Sequence, residues 1–139
     1  MIQFIKSARS GEHVSARRLR PDFEILSLGR GFVNPERKEE MKEHQQAAKK
    51  ALDLARKKML SGDYHVLILD EIFPALSLEL LPLADLIALI REKPAGLHLV
   101  LTGRGAPVEI VALADTVSEI VELKHAYYSS IPAQKGIEF

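Results

Sequence analysis

The sequence predicts an α/β domain built on a mainly parallel sheet with helices on both faces. Three observations predict it. Short apolar runs of strand character alternate with segments of helical period, in the order β, β, α, β, α, β, α, β. Parallel neighbours need crossover connections, and such an alternation supplies them. A chain of 139 residues, 47% hydrophobic and 27% charged, is large enough to bury one real core. No internal repeat or low-complexity tract interrupts the pattern, so residues 1–139 read as a single domain.

Each element follows from its own residues. Ile2–Ile5 and Phe23–Leu28 are short apolar or alternating runs bounded by turn or charged residues, and both fit strands. Between them, residues 9–20 read as an Arg-rich loop. From Glu36 to Ser61 the period changes, and Met41, Ala48, Leu52, Ala55 and Met59 fall on one helical stripe. Acidic side chains crowd its start and Arg56, Lys57 and Lys58 its end, as the helix dipole favours. Asn34 is a candidate N-cap, with Pro35 in the first turn, and Ser61-Gly62-Asp63 closes the helix. Val66–Leu69 has the apolar run of a buried strand, Leu83–Arg91 is an amphipathic helix ending before Pro94 and Gly96, and Leu97–Leu101 is the next strand. A short helix over Pro107–Leu113 and a strand over Val117–Leu123 complete the alternation. Beyond Lys124 the chain is irregular, and its apolar end at Ile137 and Phe139 is expected to pack.

Composition narrows the function classes. With no Cys, a disulfide scaffold and thiolate metal sites are excluded, and a reduced, cytoplasmic setting is expected. No apolar run approaches the length of a membrane span, and the first residues lack the plan of a secretory signal. Nineteen basic and nineteen acidic residues cancel, which argues against a dedicated nucleic-acid binder. The balance hides an asymmetry: residues 1–20 carry +4, while residues 61–139 carry −6. A polyanionic small ligand could use the basic half, and a solvated basic face is the plainer alternative.

Ligands of open α/β sheets bind at the carboxyl ends of the strands, and three polar groups are expected there. Asp70-Glu71 ends a four-residue apolar strand, the arrangement by which nucleotide-binding folds hold Mg²⁺ directly or through water. An ordinary strand end, with Asp70 capping a turn, fits equally. Thr102-Gly103-Arg104-Gly105 joins a strand to a helix, so backbone N–H groups and a guanidinium could converge on an anion, or the glycines serve only the turn. Gly29-Arg30-Gly31-Phe32 presents an Arg and an aromatic ring, and Phe32 is as compatible with the core as with a ligand. The five His residues show neither i, i+4 pairing nor clustering, so no zinc site is expected and His125 reads as structural. There is no Gly-x-Ser-x-Gly nucleophile elbow.

Taken together, Val66–Ile72, Thr102–Pro107, Ala114–Glu119 with Lys124-His125-Ala126, and Ala133–Phe139 resemble, in this order, the P-loop type of ATP:corrinoid adenosyltransferase. Gln3-Phe4-Ile5-Lys6 and Gly31-Phe32 match as well, so the resemblance spans the chain. It implies a cytoplasmic homodimer that transfers the 5′-deoxyadenosyl group of ATP to the Co(I) of a corrinoid, cob(I)alamin or cob(I)yrinic acid a,c-diamide, releasing triphosphate. Mg²⁺ is the implied cofactor and a flavoprotein the implied reductant. By motif, Glu71 with Asp70 corresponds to the metal-linked carboxylates, and Phe32 to an aromatic at the corrinoid face. Asn34 stands where the family usually has Trp. Arg104, with Thr102, Gly103 and Gly105, is inferred to face phosphate. In the family a strand and a phosphate loop precede the segment matching Gln3–Lys6, and no Gly-x-x-x-x-Gly-Lys-[Ser/Thr] occurs in these residues. The expectation is therefore a P-loop NTPase-like sheet with its first strand and phosphate loop missing. A non-catalytic relative that binds corrinoid or a protein is the rival.

Overall fold

The computed structural model describes residues 1–7 and 11–134. Four strands, β1 (Ile2–Gln3), β2 (Leu26–Ser27), β3 (Val66–Asp70) and β4 (His98–Leu101), form one all-parallel sheet in the order β2-β1-β3-β4. Among the described residues five α-helices connect and flank them: α1 (Gly11–Ala16), α2 (Lys38–Leu60), α3 (Ile72–Ser77), α4 (Leu83–Arg91) and α5 (Val108–Leu113). Parallel pairing gathers the carboxyl ends of all four strands at one edge, which is the edge the candidate residues occupy.

Register explains which side chains meet. Leu26, Ile2, Leu69 and Leu101 stand in one row across the sheet, and Ile2 and Leu69 are fully buried. The next row toward the carboxyl edge is Ser27, Gln3 and Asp70, and by the same register Thr102 extends it past β4. Successive residues of a strand point to opposite faces, so an apolar row on one face is followed by a polar row on the other. On the polar row's face the sheet is partly open: Val66 is 49% exposed and Val100 42%.

The long helix α2 packs against β3. It buries Ala48, Leu52, Ala55 and Met59 of the expected stripe, with His44 and Ala51 beside them, and Met41 lies at the margin of the core. The alanines bring the helix axis close to the sheet. Leu86 and Leu89 of α4 join the same core, as do Ile72, Phe73 and Ala75 of α3. At the amino edge of the sheet, the Glu24 carboxylate accepts hydrogen bonds from the Lys58 ammonium and the Tyr64 hydroxyl, tying the approaches to β2 and β3 to the end of α2. The Lys58 hydrogen bond, then that of Tyr64, holds the Glu24 carboxyl below its ordinary value.

Four expectations need correction. The Arg-rich segment is not simply a loop: Gly11–Ala16 is helical and Arg17–Leu19 forms a 3₁₀ turn. Asn34 does not cap α2, because the helix starts at Lys38; its Oδ1 instead accepts from the Glu36 N–H at 3.0 Å, an Asx turn that delays the helix. Val117–Leu123 is not a strand, and Val117, Ile120, Val121 and Leu123 are exposed. Apolar, β-branched residues suit a strand, but a strand also needs a neighbour's N–H and C=O groups, and among the described residues this segment pairs with none. The described end of the chain does not pack: Tyr127 and Tyr128 are about three-quarters exposed, while Ile137 and Phe139 lie outside the described residues.

Candidate functional site

The site is built where β3 and β4 end. After Asp70 the chain turns sharply into α3 through Glu71, whose φ of 59° and ψ of 33° place a non-glycine residue in the left-handed region. Such a conformation costs about 1–2 kcal/mol and persists where neighbours impose it. The neighbour here is Thr102. Its hydroxyl donates to Asp70 Oδ1 at 2.8 Å and accepts from the Glu71 N–H at 3.1 Å, while its carbonyl accepts from the Ile72 N–H at 3.1 Å. The two polar strand ends read from the sequence, Asp70-Glu71 and Thr102–Gly105, are therefore in direct contact on one edge.

Gly103 continues the contact. Its φ is +137°, and a Cβ there would lie 2.5 Å from Pro74 Cδ and 3.1 Å from Phe73 Cβ, so only glycine lets this loop rest on the start of α3. Gly105 also has positive φ, +72°. Between them Arg104 is exposed, and among the described residues its guanidinium has no ion-pair partner. The helix that follows, α5, has only six residues, so Arg104 and not a helix dipole supplies most of the positive charge of this loop.

The two carboxylates differ. Asp70 Oδ2 accepts from the Gln3 amide at 3.2 Å while Oδ1 holds Thr102. The Glu71 carboxylate has no hydrogen-bond or ion-pair partner among the described residues. A free carboxylate beside a bonded one suits Mg²⁺, which is commonly held by one or two carboxylates with water and substrate phosphate. Among the described residues no group of three or more His, Asp or Glu forms a cage for a metal.

At the other end of the row, Gly29 crosses the end of β1 so closely that a Cβ would meet the Ile5 carbonyl carbon at 2.2 Å, and the Gly31 N–H donates to Ile5 O at 2.8 Å. This crossing carries Phe32 out of the core: its ring is 90% exposed. Arg30 pairs with Glu43 of α2. Ser27, Gly29, Arg30, Gln46 and Lys50 line an open hollow of about 470 Å³ there. At a strand spacing of about 4.8 Å, the loop after β2 lies about 10 Å from that after β3 and about 14 Å from that after β4. His125, past α5, accepts from the Tyr127 N–H through Nδ1 at 3.1 Å and caps a 3₁₀ turn, a structural role.

Sequence reasoning missed three members of this edge. Gln3, Ser27 and His13 connect Asp70 to the outer strand: His13 Nε2 lies 2.7 Å from Ser27 Oγ, which donates to Gln3 Oε1 at 2.6 Å. A signal was present. Gln3 and Ser27 are each the polar residue inside an apolar strand end, as Asp70 and Thr102 are in theirs.

Comparison with known proteins places the chain in a family. The family model described as ATP:corrinoid adenosyltransferase BtuR/CobO/CobP matches residues 1–139. The chain belongs to the ATP:corrinoid adenosyltransferase family. A corrinoid adenosyltransferase of Pseudomonas aeruginosa is 37% identical over 142 residues, covering all of this chain and 68% of that protein. One from a Sinorhizobium species is 34% identical, with 65% of its length covered, and the corrinoid adenosyltransferase CobA of Salmonella typhimurium is 30% identical, with 69% covered. The chain thus spans about two thirds of the length of these family members. No helix among the described residues is long and apolar enough to cross a membrane.

Proposed function

We propose that this chain serves ATP-dependent adenosylation of a corrinoid, with the carboxyl edge of the sheet as its substrate-facing surface. The observation that carries the reading is the Thr102 hydroxyl joining Asp70 to the Glu71 N–H, which assembles a free carboxylate and a glycine turn within a chain of this family. Glu71, with Asp70 beside it, would hold Mg²⁺. When bound, the ion supplies positive charge against the phosphate oxygens of ATP. Arg104 and the N–H groups of Gly103 and Gly105 would face the polyphosphate, where a guanidinium fork offers paired hydrogen bonds to a leaving triphosphate, while Thr102, whose own N–H is spent on Leu69 O, holds the turn in place.

The nucleophile is the substrate's own Co(I). Its electron pair forms the Co–C5′ bond as the C5′–O bond breaks, and the released pair leaves on triphosphate. No side chain need take or give a proton in that step, so the protein's contribution is alignment and electrostatics. Phe32 is the surface for an apolar corrin face, because an exposed aromatic ring held out by a glycine crossing has no core role to perform. Asn34, whose side chain is spent on its own turn, lies beside it at the corrinoid side. A homodimer, a flavoprotein reductant and a cytoplasmic setting complete the reading.

A second reading is a relative that binds corrinoid or a protein without transferring adenosyl, to which the 90% exposed Phe32 ring points. The test is calorimetric titration with MgATP and with a cobalamin, followed by an anaerobic transfer assay on Co(I) read by absorbance. Transfer that Glu71→Gln abolishes supports the enzyme. Cobalamin binding without ATP binding or transfer supports the second reading, and wild-type transfer by Glu71→Gln rules out the metal role of that carboxylate.

A further inference from the structure

Ser27, Gln3, Asp70 and Thr102 stand in one register row across four strands, bonded side chain to side chain, with His13 of α1 at the outer end. We infer that Gln3 is a positioning residue: it fixes the Asp70 carboxylate so that Thr102 can hold the left-handed Glu71 corner and leave the Glu71 carboxylate free.

The direction of every bond in the row follows from the charge on Asp70. An ionised carboxylate only accepts, so the group of Gln3 that meets Asp70 Oδ2 must be its NH₂. The opposite amide orientation would set two acceptor oxygens 3.2 Å apart. Gln3 Oε1 therefore faces Ser27, whose one hydroxyl proton is committed to it. Ser27 Oγ can then only accept from His13, which fixes a proton on Nε2. From the other side Thr102 commits its hydroxyl proton to Asp70 Oδ1 and so can only accept from the Glu71 N–H. Bonds on both sides thus point toward Asp70.

Burial makes the arrangement consequential. Gln3 is 2% exposed, and a buried amide without partners is costly, yet no buried side-chain polar atom among the described residues lacks a partner. Replacing Gln3 with leucine would deprive Ser27 of its acceptor and Asp70 Oδ2 of its donor, letting the carboxylate rotate. The Glu71 N–H, which Gln3 does not touch, should register the change through Thr102. Gln3→Glu should do more damage, since it sets a second carboxylate against Asp70.

The experiment is residue-resolved amide exchange by NMR on the whole chain, with Mn²⁺ binding by electron paramagnetic resonance as a second arm. In Gln3→Leu the Glu71 amide should exchange about tenfold faster after correction for the change at α2 amides, the scale of one hydrogen bond to a charged group. In a Thr102→Val background the same substitution should add nothing at Glu71, the signature of a relay and not of local packing. If Gln3→Leu does not fold, Ser27→Ala decides: it should also speed Glu71 exchange, by a smaller factor. Unchanged Glu71 exchange in the folded variants overturns the inference, as does full additivity with Thr102→Val. Only the Mn²⁺ arm rests on the metal reading of Glu71. Weaker Mn²⁺ binding in Gln3→Leu supports positioning, whereas a wild-type chain that binds no Mn²⁺ refutes the metal reading and leaves the exchange arm to decide this one.

Discussion

Replacing Thr102 with valine should destabilise the chain by about 2 kcal/mol, and the loss should concentrate at the corner between β3 and α3. Valine matches threonine in shape and suits a strand end, so packing and propensity stay nearly constant. What disappears is one hydroxyl with two bonds, to Asp70 Oδ1 at 2.8 Å and from the Glu71 N–H at 3.1 Å. A hydrogen bond to a charged group is worth about 1.5–3 kcal/mol, and an amide left without an acceptor costs about 1–3 kcal/mol. Thr102, Asp70 and Glu71 are each partly exposed, so water recovers part of both terms, which brings the expectation down to about 2 kcal/mol. The backbone bonds from Ile72 N to Thr102 O and from Thr102 N to Leu69 O survive, so the corner should loosen without opening. Urea denaturation followed by far-ultraviolet circular dichroism gives the difference, with Thr102→Ser measured in parallel. Serine keeps the hydroxyl and should retain more than half of the lost stability. A valine variant within about 0.5 kcal/mol of the parent, the scatter of unremarkable surface changes, would refute the reasoning, as would a serine variant that falls as far as valine.

Gly103→Ala should cost about 2–3 kcal/mol, because its Cβ would lie 2.5 Å from Pro74 Cδ on a backbone at φ +137°, and a lowered melting temperature checks it. Glu24→Gln should cost about 1 kcal/mol at neutral pH by removing the pairing with Lys58 and Tyr64. Because folding lowers the Glu24 pKa below 4.5, its contribution is present above that value and fades as the pH falls through the folded value. The stabilities of parent and variant should therefore converge as the pH falls through the folded value, and an equal gap at neutral and acid pH would show that the contribution is not electrostatic.

What could be read from the sequence divides along a physical line. Helix α2 was legible because twenty-three residues repeat one periodic signal, and no competing arrangement buries Ala48, Leu52, Ala55 and Met59 together. Strand β3 was legible for the same reason on a shorter scale, and the meeting of Asp70 with Thr102 followed from chain direction alone. Helix α1 was not. Its six residues bury only Ala16, so no periodic stripe announces it. Asn34 misled because one side chain serves equally in an Asx turn and an N-cap, and the choice depends on where α2 can begin its packing.

Val117–Leu123 and the polar row show the same limit from opposite sides. Both depend on pairing across the sheet, which no local window contains. In the first case the β-branched and apolar residues were present and, among the described residues, the pairing strand was not, so Ile120 and Leu123 remain 96% and 93% exposed. In the second the partners were present and the alternation was too short to notice: β1 and β2 are two residues each, yet their final residues, Gln3 and Ser27, align in register with Asp70. A single polar residue at the end of a two-residue strand carries no signal alone. It gains meaning when neighbouring strands end on polar residues in the same row, because a parallel sheet turns that coincidence into adjacent side chains on one face. Here the row is anchored on an ionised carboxylate, and that charge orders bonds reaching from α1 to the corner after β3. The carboxyl edge of the sheet is thus the place where the polar ends of its strands bond to one another, with the Glu71 carboxylate left over.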